Sequence, residues 1–129
     1  MDKKLLLFFF AALLTACQES LEERCAREAK EYTERKCPAR INEFTRIDSL
    51  TFDKASHTMH YYYTLSGNAD NAEAIARSNP RETLAREVRN TTSMEIYREA
   101  GYRFAYTYRS ESRPERVLFE TVIEEKDYQ

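Results

Sequence analysis

The sequence predicts an α+β fold: an N-terminal helix, then the order β-β-α-α-β-β, with four strands merged into one antiparallel sheet that helices cover on one face. Three observations lead there. Residues 18–36 form a highly charged run stopped by Pro38. Residues 59–65 and 102–108 place apolar or aromatic side chains at every second position. Between them, Asn79-Pro80-Arg81-Glu82 is a helix-start signal.

Taken in order, Glu19 to Lys36 reads as one helix in which Glu23/Arg27 and Glu31/Arg35 stand four apart, each pair contributing roughly a few tenths of a kcal/mol. Leu21, Cys25 and Tyr32 leave only a narrow apolar stripe, so this helix is expected to be a stalk that docks lightly on the domain or holds it off the membrane. Pro38 ends it by pushing Cys37 out of the α region. Leu50 to Phe52 and Met59 to Leu65 flank the polar turn Asp53–His57 and read as a hairpin that Gly67 closes. Asp70-Asn71-Ala72-Glu73 fits a capping box for a helical turn through Arg77. Asn79 at N-cap, Pro80 at N1 and Glu82 at N3 start a helix that runs to Asn90 with Leu84 and Val88 on one face. Ser93 is placed to cap Met94 to Ala100, and Gly101 suits the position that stops that helix. Tyr102, Phe104, Tyr106 and Tyr108 then share one face of a strand, and Arg103, Ala105 and Thr107 the other. A turn over Ser110–Glu115, containing Pro114, leads to the last strand, Val117 to Ile123.

The amino terminus has the anatomy of a secretory signal: Lys3 and Lys4, the apolar stretch Leu5 to Leu14, then the small residues Thr15-Ala16 ahead of Cys17. About ten apolar residues are too few to span a bilayer, which takes roughly 20. Leu14-Thr15-Ala16-Cys17 resembles the lipobox of bacterial lipoproteins. That resemblance implies cleavage before Cys17, a diacylglycerol on its thiol and usually an acylated new amino terminus. Two or three chains would hold the protein on a membrane far more firmly than one. Gln18 rather than Asp at the next position implies, by likeness to proteobacterial sorting, the outer membrane, and the acidic Glu19, Glu22 and Glu23 resemble surface-export tags. The expected organisation is a signal peptide over 1–16, the acylated cysteine and charged stalk over 17–37, and a small α+β domain over 38–129.

Residues 17–129 are enough for one domain with a modest core. The chain carries 20 Lys+Arg against 22 Asp+Glu, and without Lys3, Lys4 and Asp2 the balance is 18 to 21. No basic surplus points to nucleic acid, and no polybasic patch to an electrostatic membrane contact. With two glycines in the chain, a glycine-rich phosphate cradle is excluded, and Gly-x-Ser-x-Gly and His-Glu-x-x-His are absent. The expectation is a non-catalytic protein without a cofactor, whose partners are the membrane through Cys17 and an envelope protein or glycan. The alternative is a binder of a small lipid, glycan or peptide in a pocket between sheet and helices. Oligomeric state is not legible.

Cys25 and Cys37 would both meet an oxidising compartment and admit an intramolecular disulfide, an intermolecular one, or free thiols. Twelve residues of helix rise about 18 Å, whereas a disulfide needs Cα atoms within about 7 Å, so a bridge within the chain requires the helix to fold back. The spacing lacks the close cysteine pair of a structural zinc site. His57 and His60 stand three apart but at a turn and a strand start, on nearly opposite faces, which disfavours a shared metal. His60, Tyr62 and Thr64 share the second face of their strand and form the candidate binding surface, while Met59, Tyr61, Tyr63 and Leu65 are expected to pack against Phe104 and the helices. Asp48-Ser49-Leu50 resembles an O-glycan acceptor triplet of some envelope bacteria.

Cys37-Pro38, then Thr45-Arg46-Ile47-Asp48-Ser49-Leu50, Tyr61-Tyr62-Tyr63-Thr64-Leu65 and Glu99-Ala100-Gly101-Tyr102 together resemble a family of small, uncharacterised Gram-negative envelope lipoproteins. The likeness spans residues 37–129 and implies an envelope location without supplying catalytic residues.

Overall fold

A computed structural model describes residues 18–129. Helix α1 (Leu21–Lys36) leads into strands β1 (Ala39–Asn42), β2 (Thr45–Asp53) and β3 (Thr58–Leu65). Helices α2 (Ala72–Arg77), α3 (Pro80–Asn90) and α4 (Glu95–Glu99) come next, then β4 (Arg103–Ser110), β5 (Val117–Ile123) and a terminal turn of helix, α5 (Glu125–Tyr128). The α+β class holds, but the sheet has five strands rather than four, in the order β1-β2-β3-β4-β5. It is mixed rather than antiparallel: β3 and β4 run parallel and every other neighbouring pair is antiparallel.

The reason lies in residues 66–102. Parallel neighbours require a crossover of a dozen residues or more, usually helical. Here three helices carry the chain from Leu65 back past the whole strand, so that Arg103 enters beside Thr58. Strand β1 escapes the sequence reading because it is a short edge strand with three of four residues exposed, and so carries no inward alternation. The early start of β2 is hidden by a bulge. Ile47 pairs with Tyr63 and Ser49 with Tyr62, leaving Asp48 as the extra residue. Ile47 and Leu50 thus face the same side although three apart, which breaks the period of two.

One face of the sheet is the core. Leu50, Phe52, Met59, Tyr61, Tyr63, Phe104, Tyr106, Tyr108, Phe119 and Ile123 pack with Cys25 and Ala29 of α1 and with Leu84, Ala85 and Val88 of α3. Phe104, Ile123, Val88 and Cys25 are fully enclosed. Helix α1, expected as a stalk, contributes Cys25 and Ala29 to this core. Cys25 and Ala29 lie one turn apart on α1, and their small side chains let the helix approach β2 closely enough to leave them 0% and 2% exposed. Polar contacts fix the helix further. The Tyr97 hydroxyl donates to Glu28 Oε2 at 2.7 Å, and His57 Nε2 lies 2.7 Å from Glu22 Oε1. Ser20 caps α1 by accepting from Glu23 N–H, and Cys37 ends it in an extended conformation ahead of Pro38.

Other local signals are redistributed. Asn71, not Asp70, caps α2 by accepting from the Glu73 and Ala74 N–H groups. Asp70 instead takes the N–H and hydroxyl of Ser112 at the start of the β4–β5 turn. A 3₁₀ turn over Thr92–Met94 precedes α4, and Ser93 makes no cap. Gly101 stops α4 as expected: at φ +74° it lets Tyr102 N–H reach Tyr97 C=O and its own N–H reach Arg98 C=O. The tail locks the sheet's far corner. The Tyr128 hydroxyl donates to Tyr102 C=O at 2.8 Å, and Arg81 holds Asp127 at 2.9 Å.

The edge of β2 beyond β1 is protected by a single side chain. Thr33 of α1 donates its hydroxyl to Leu50 C=O at 2.7 Å and accepts Leu50 N–H at 2.9 Å. Replacing Thr33 by Val keeps the shape and strands both backbone groups, so Thr33→Val should destabilise the fold by about 1–3 kcal/mol and Thr33→Ser by much less. A lowered urea midpoint with an unchanged slope is the measurement that checks this.

Candidate functional site: the open face of the sheet

With α1 and the crossover helices on the core face, the opposite face carries no helix among the described residues. Cross-strand register sorts its side chains into rows. Arg40, Arg46, Thr64 and Arg109 stand in one row across β1 to β4. Ser49, Tyr62, Thr107 and Glu120 form the next, and Thr51, His60, Ala105 and Val122 the third. The sequence-predicted trio His60, Tyr62 and Thr64 therefore does share this face, one residue in each row.

Two networks fix these side chains. In the first, His60 Nε2 lies 2.7 Å from Thr107 Oγ1, the Tyr62 hydroxyl 3.1 Å from His60 Nδ1, and Thr107 Oγ1 3.5 Å from Glu120 Oε2. A consistent donor order has Tyr62 O–H donating to Nδ1, Nε2–H to Thr107, and Thr107 O–H to the Glu120 carboxylate. The Tyr62 and His60 rings also stack at 4.0 Å between centroids. Thr107 is 3% exposed, so its hydroxyl orients the imidazole rather than facing solvent. In the second network the bulge residue Asp48 accepts from Arg46 Nε at 2.7 Å and from the Thr64 hydroxyl at 2.5 Å, and Arg46 Nη2 reaches Thr64 at 3.3 Å. The bulge is what turns Asp48 onto this face.

The remaining candidates lie elsewhere. His57 adopts a left-handed backbone in its turn and stacks on Tyr102 at 4.8 Å, under α1 and apart from His60. Among the described residues no three His, Cys, Asp or Glu side chains converge as a metal site. Cys25 and Cys37 are free thiols, with α1 unbroken between them. Burial pushes the Cys25 thiol up to about 11, with Glu28 adding to the rise, and burial and then Asp48 raise Cys37. Both therefore stay protonated at neutral pH and are poor nucleophiles. Cys17 lies outside the described residues.

Sequence reasoning missed a second aromatic feature and the charged row. On the core face Tyr61 stacks on Tyr106 at 4.9 Å and Tyr63 on Tyr108 at 4.8 Å. The alternation of both strands was visible, but only parallel register sets the two pairs side by side. Burial raises all four phenols, Tyr108 to about 12 with Glu87 contributing. The row of arginines needed the position of β1.

Burial holds the His60 imidazole below its ordinary value, with Glu120 opposing. Since its folded value lies below its unfolded one, the stability it contributes is fully present above about pH 6.5 and is lost as pH falls towards the folded value. NMR titration of the ring should show a midpoint below about 6.5. The acid side of the stability profile should flatten in His60→Gln. A midpoint at or above the ordinary value would contradict the enclosed geometry.

The fold has relatives among solved structures. A protein of Pseudomonas aeruginosa described as secreted aligns with a TM-score of 0.69 at 18% identity, covering 87% of this chain and 100% of that one. The type 2 secretion system pilotin EpsS of Vibrio vulnificus aligns at 0.60 and 11% identity, covering 84% of this chain and 92% of that one. The type II secretion system pilotin AspS of Vibrio cholerae aligns at 0.58 and 11%, covering 83% and 91%. At these identities the likeness is one of fold. No curated protein matches the sequence. Residues 20–119 match a domain of unknown function, DUF8479, from the first turn of α1 to the middle of β5; the chain belongs to that family.

Proposed function

We propose that this protein is an envelope lipoprotein, anchored through Cys17, whose domain is a non-catalytic docking module for another envelope protein. The observation that carries the reading is the open face. A sheet that buries one side under helices presents on the other a surface on which His60, Tyr62 and Thr107, and Arg46, Asp48 and Thr64, are held by one another. Side chains fixed in this way lose little freedom on association, which is how a preformed surface gains affinity. A fold shared with two secretion-system pilotins supports an assembly role over catalysis, and the outer membrane is the location that Gln18 favours.

The competing pocket reading draws on an apolar groove of about 310 Å³ between α1 and β2, lined by Ala26, Ala29, Thr33, Leu50 and Phe52. That groove is open to solvent along its length. It offers a small ligand one apolar wall rather than the largely enclosed site such ligands occupy, which favours the docking reading.

Two outcomes are expected. Growth with a fatty-acid analogue should label the protein, and Cys17→Ala should abolish the label; label that survives the substitution would remove the anchor. Cross-linking in intact cells followed by mass spectrometry should return one recurrent envelope protein. Recovery of a small hydrophobic ligand with no protein partner would transfer the assignment to the groove.

A further inference from the structure

The arginine row identifies the chemistry of the partner. Arg40, Arg46 and Arg109 sit in register on one face of β1, β2 and β4, with Thr64 of β3 between the last two. Neighbouring strands are about 4.8 Å apart, so Arg40 and Arg46 are direct cross-strand neighbours. Like charges in that relation are destabilising. Asp48 neutralises Arg46. Arg40 donates to Glu43 C=O, and neither Arg40 nor Arg109 forms an ion pair among the described residues. Both are exposed. Glu43 and Glu111 flank the row in turns, and Glu120 faces the next row against Thr107. The row thus retains unmatched guanidinium groups beside the stacked Tyr62–His60 pair.

Its place in the fold is as informative as its charge. The chain enters the domain at Ser20, and Glu22 on the first turn of α1 touches His57 at the opposite end of the sheet. From Thr58 to Thr64 the strand rises about 20 Å. The row therefore lies about 20 Å along β3 from the end of the sheet at which α1 begins.

We propose, resting on the docking reading above, that the open face binds an acidic, extended stretch of a partner protein. Its carboxylates would be held by Arg40, Arg109 and the Asp48-braced Arg46, with an apolar or aromatic residue laid on Tyr62 and His60. The planar guanidinium fork suits carboxylates, and Arg40 and Arg109, three strand spacings or about 14 Å apart, lie within reach of side chains four residues apart on one face of an extended peptide, about 13 Å. Arg46 supplies register through its fixed geometry, and the two unpaired arginines supply charge complementarity.

The test places a photo-cross-linking amino acid in the full-length protein in cells, at the exposed Val122 on the open face or at Lys30 beside the α1–β2 groove. The expected result is a protein adduct from position 122, mapped to a partner peptide of net negative charge. It should fall about tenfold in Arg40→Glu/Arg109→Glu and severalfold in the milder Arg109→Gln. The pair Lys30→Glu/Lys36→Glu, away from the row, should leave it unchanged. An adduct to lipid or glycolipid, a neutral or basic partner peptide, or an adduct indifferent to both arginine variants would overturn the proposal. Adducts from position 30 alone would overturn this face and leave the docking module standing; none from either position would overturn both.

Discussion

The parallel pairing of β3 with β4 is the constraint on which the rest of this structure depends. Once the chain must leave Leu65 and re-enter beside Thr58, the connection has to travel the length of the sheet, and it does so as helices on one face. That decision fixes which face is buried and leaves the other without a helix among the described residues. It also sets Tyr61 against Tyr106 and Tyr63 against Tyr108, so the two strands lock through stacked rings as well as backbone hydrogen bonds.

Helix α1 completes the arrangement from the other side. It is charged almost throughout, yet two small residues and one threonine seat it against β2, with Glu22 and Glu28 holding His57 and Tyr97. Cys25 and Ala29 permit close approach, and Thr33 satisfies the backbone of β2 where β1 no longer reaches. A free strand edge invites uncontrolled pairing. This protein closes that edge with one hydroxyl and with a short, mostly exposed strand. The same closure positions Arg40 beside Arg46, so edge protection and the charged row share a cause.

The contrast between the two faces is what bears on function. The core face is aromatic and packed; the open face is polar, with its side chains held in two networks that meet along β3. Membership of a family whose domain has no assigned function gives no site to inherit, and fold likeness to secretion pilotins at 11% identity transfers architecture rather than residues. The docking reading therefore stands on the geometry of Arg46, Asp48, His60, Tyr62, Thr64 and Thr107.

The sequence by itself determined much of the local structure. Pro38 stopped α1, Gly101 stopped α4, Asn79-Pro80 started α3, and period-two alternation assigned β3, β4 and their inward residues. It also placed His60, Tyr62 and Thr64 together, because strand parity is a local property. Tertiary structure alone decided the direction of β4, since an antiparallel and a parallel merger of two hairpins have the same local pattern. It alone revealed β1, whose exposed residues carry no inward period, and the bulge at Asp48, which costs the alternation one step. It turned a stalk into a core helix, because a stripe as narrow as Cys25 and Ala29 has no meaning until a partner surface is close enough to cover it. And it alone aligned Arg40, Arg46 and Arg109, which stand far apart in the chain and become neighbours only through the register of four strands.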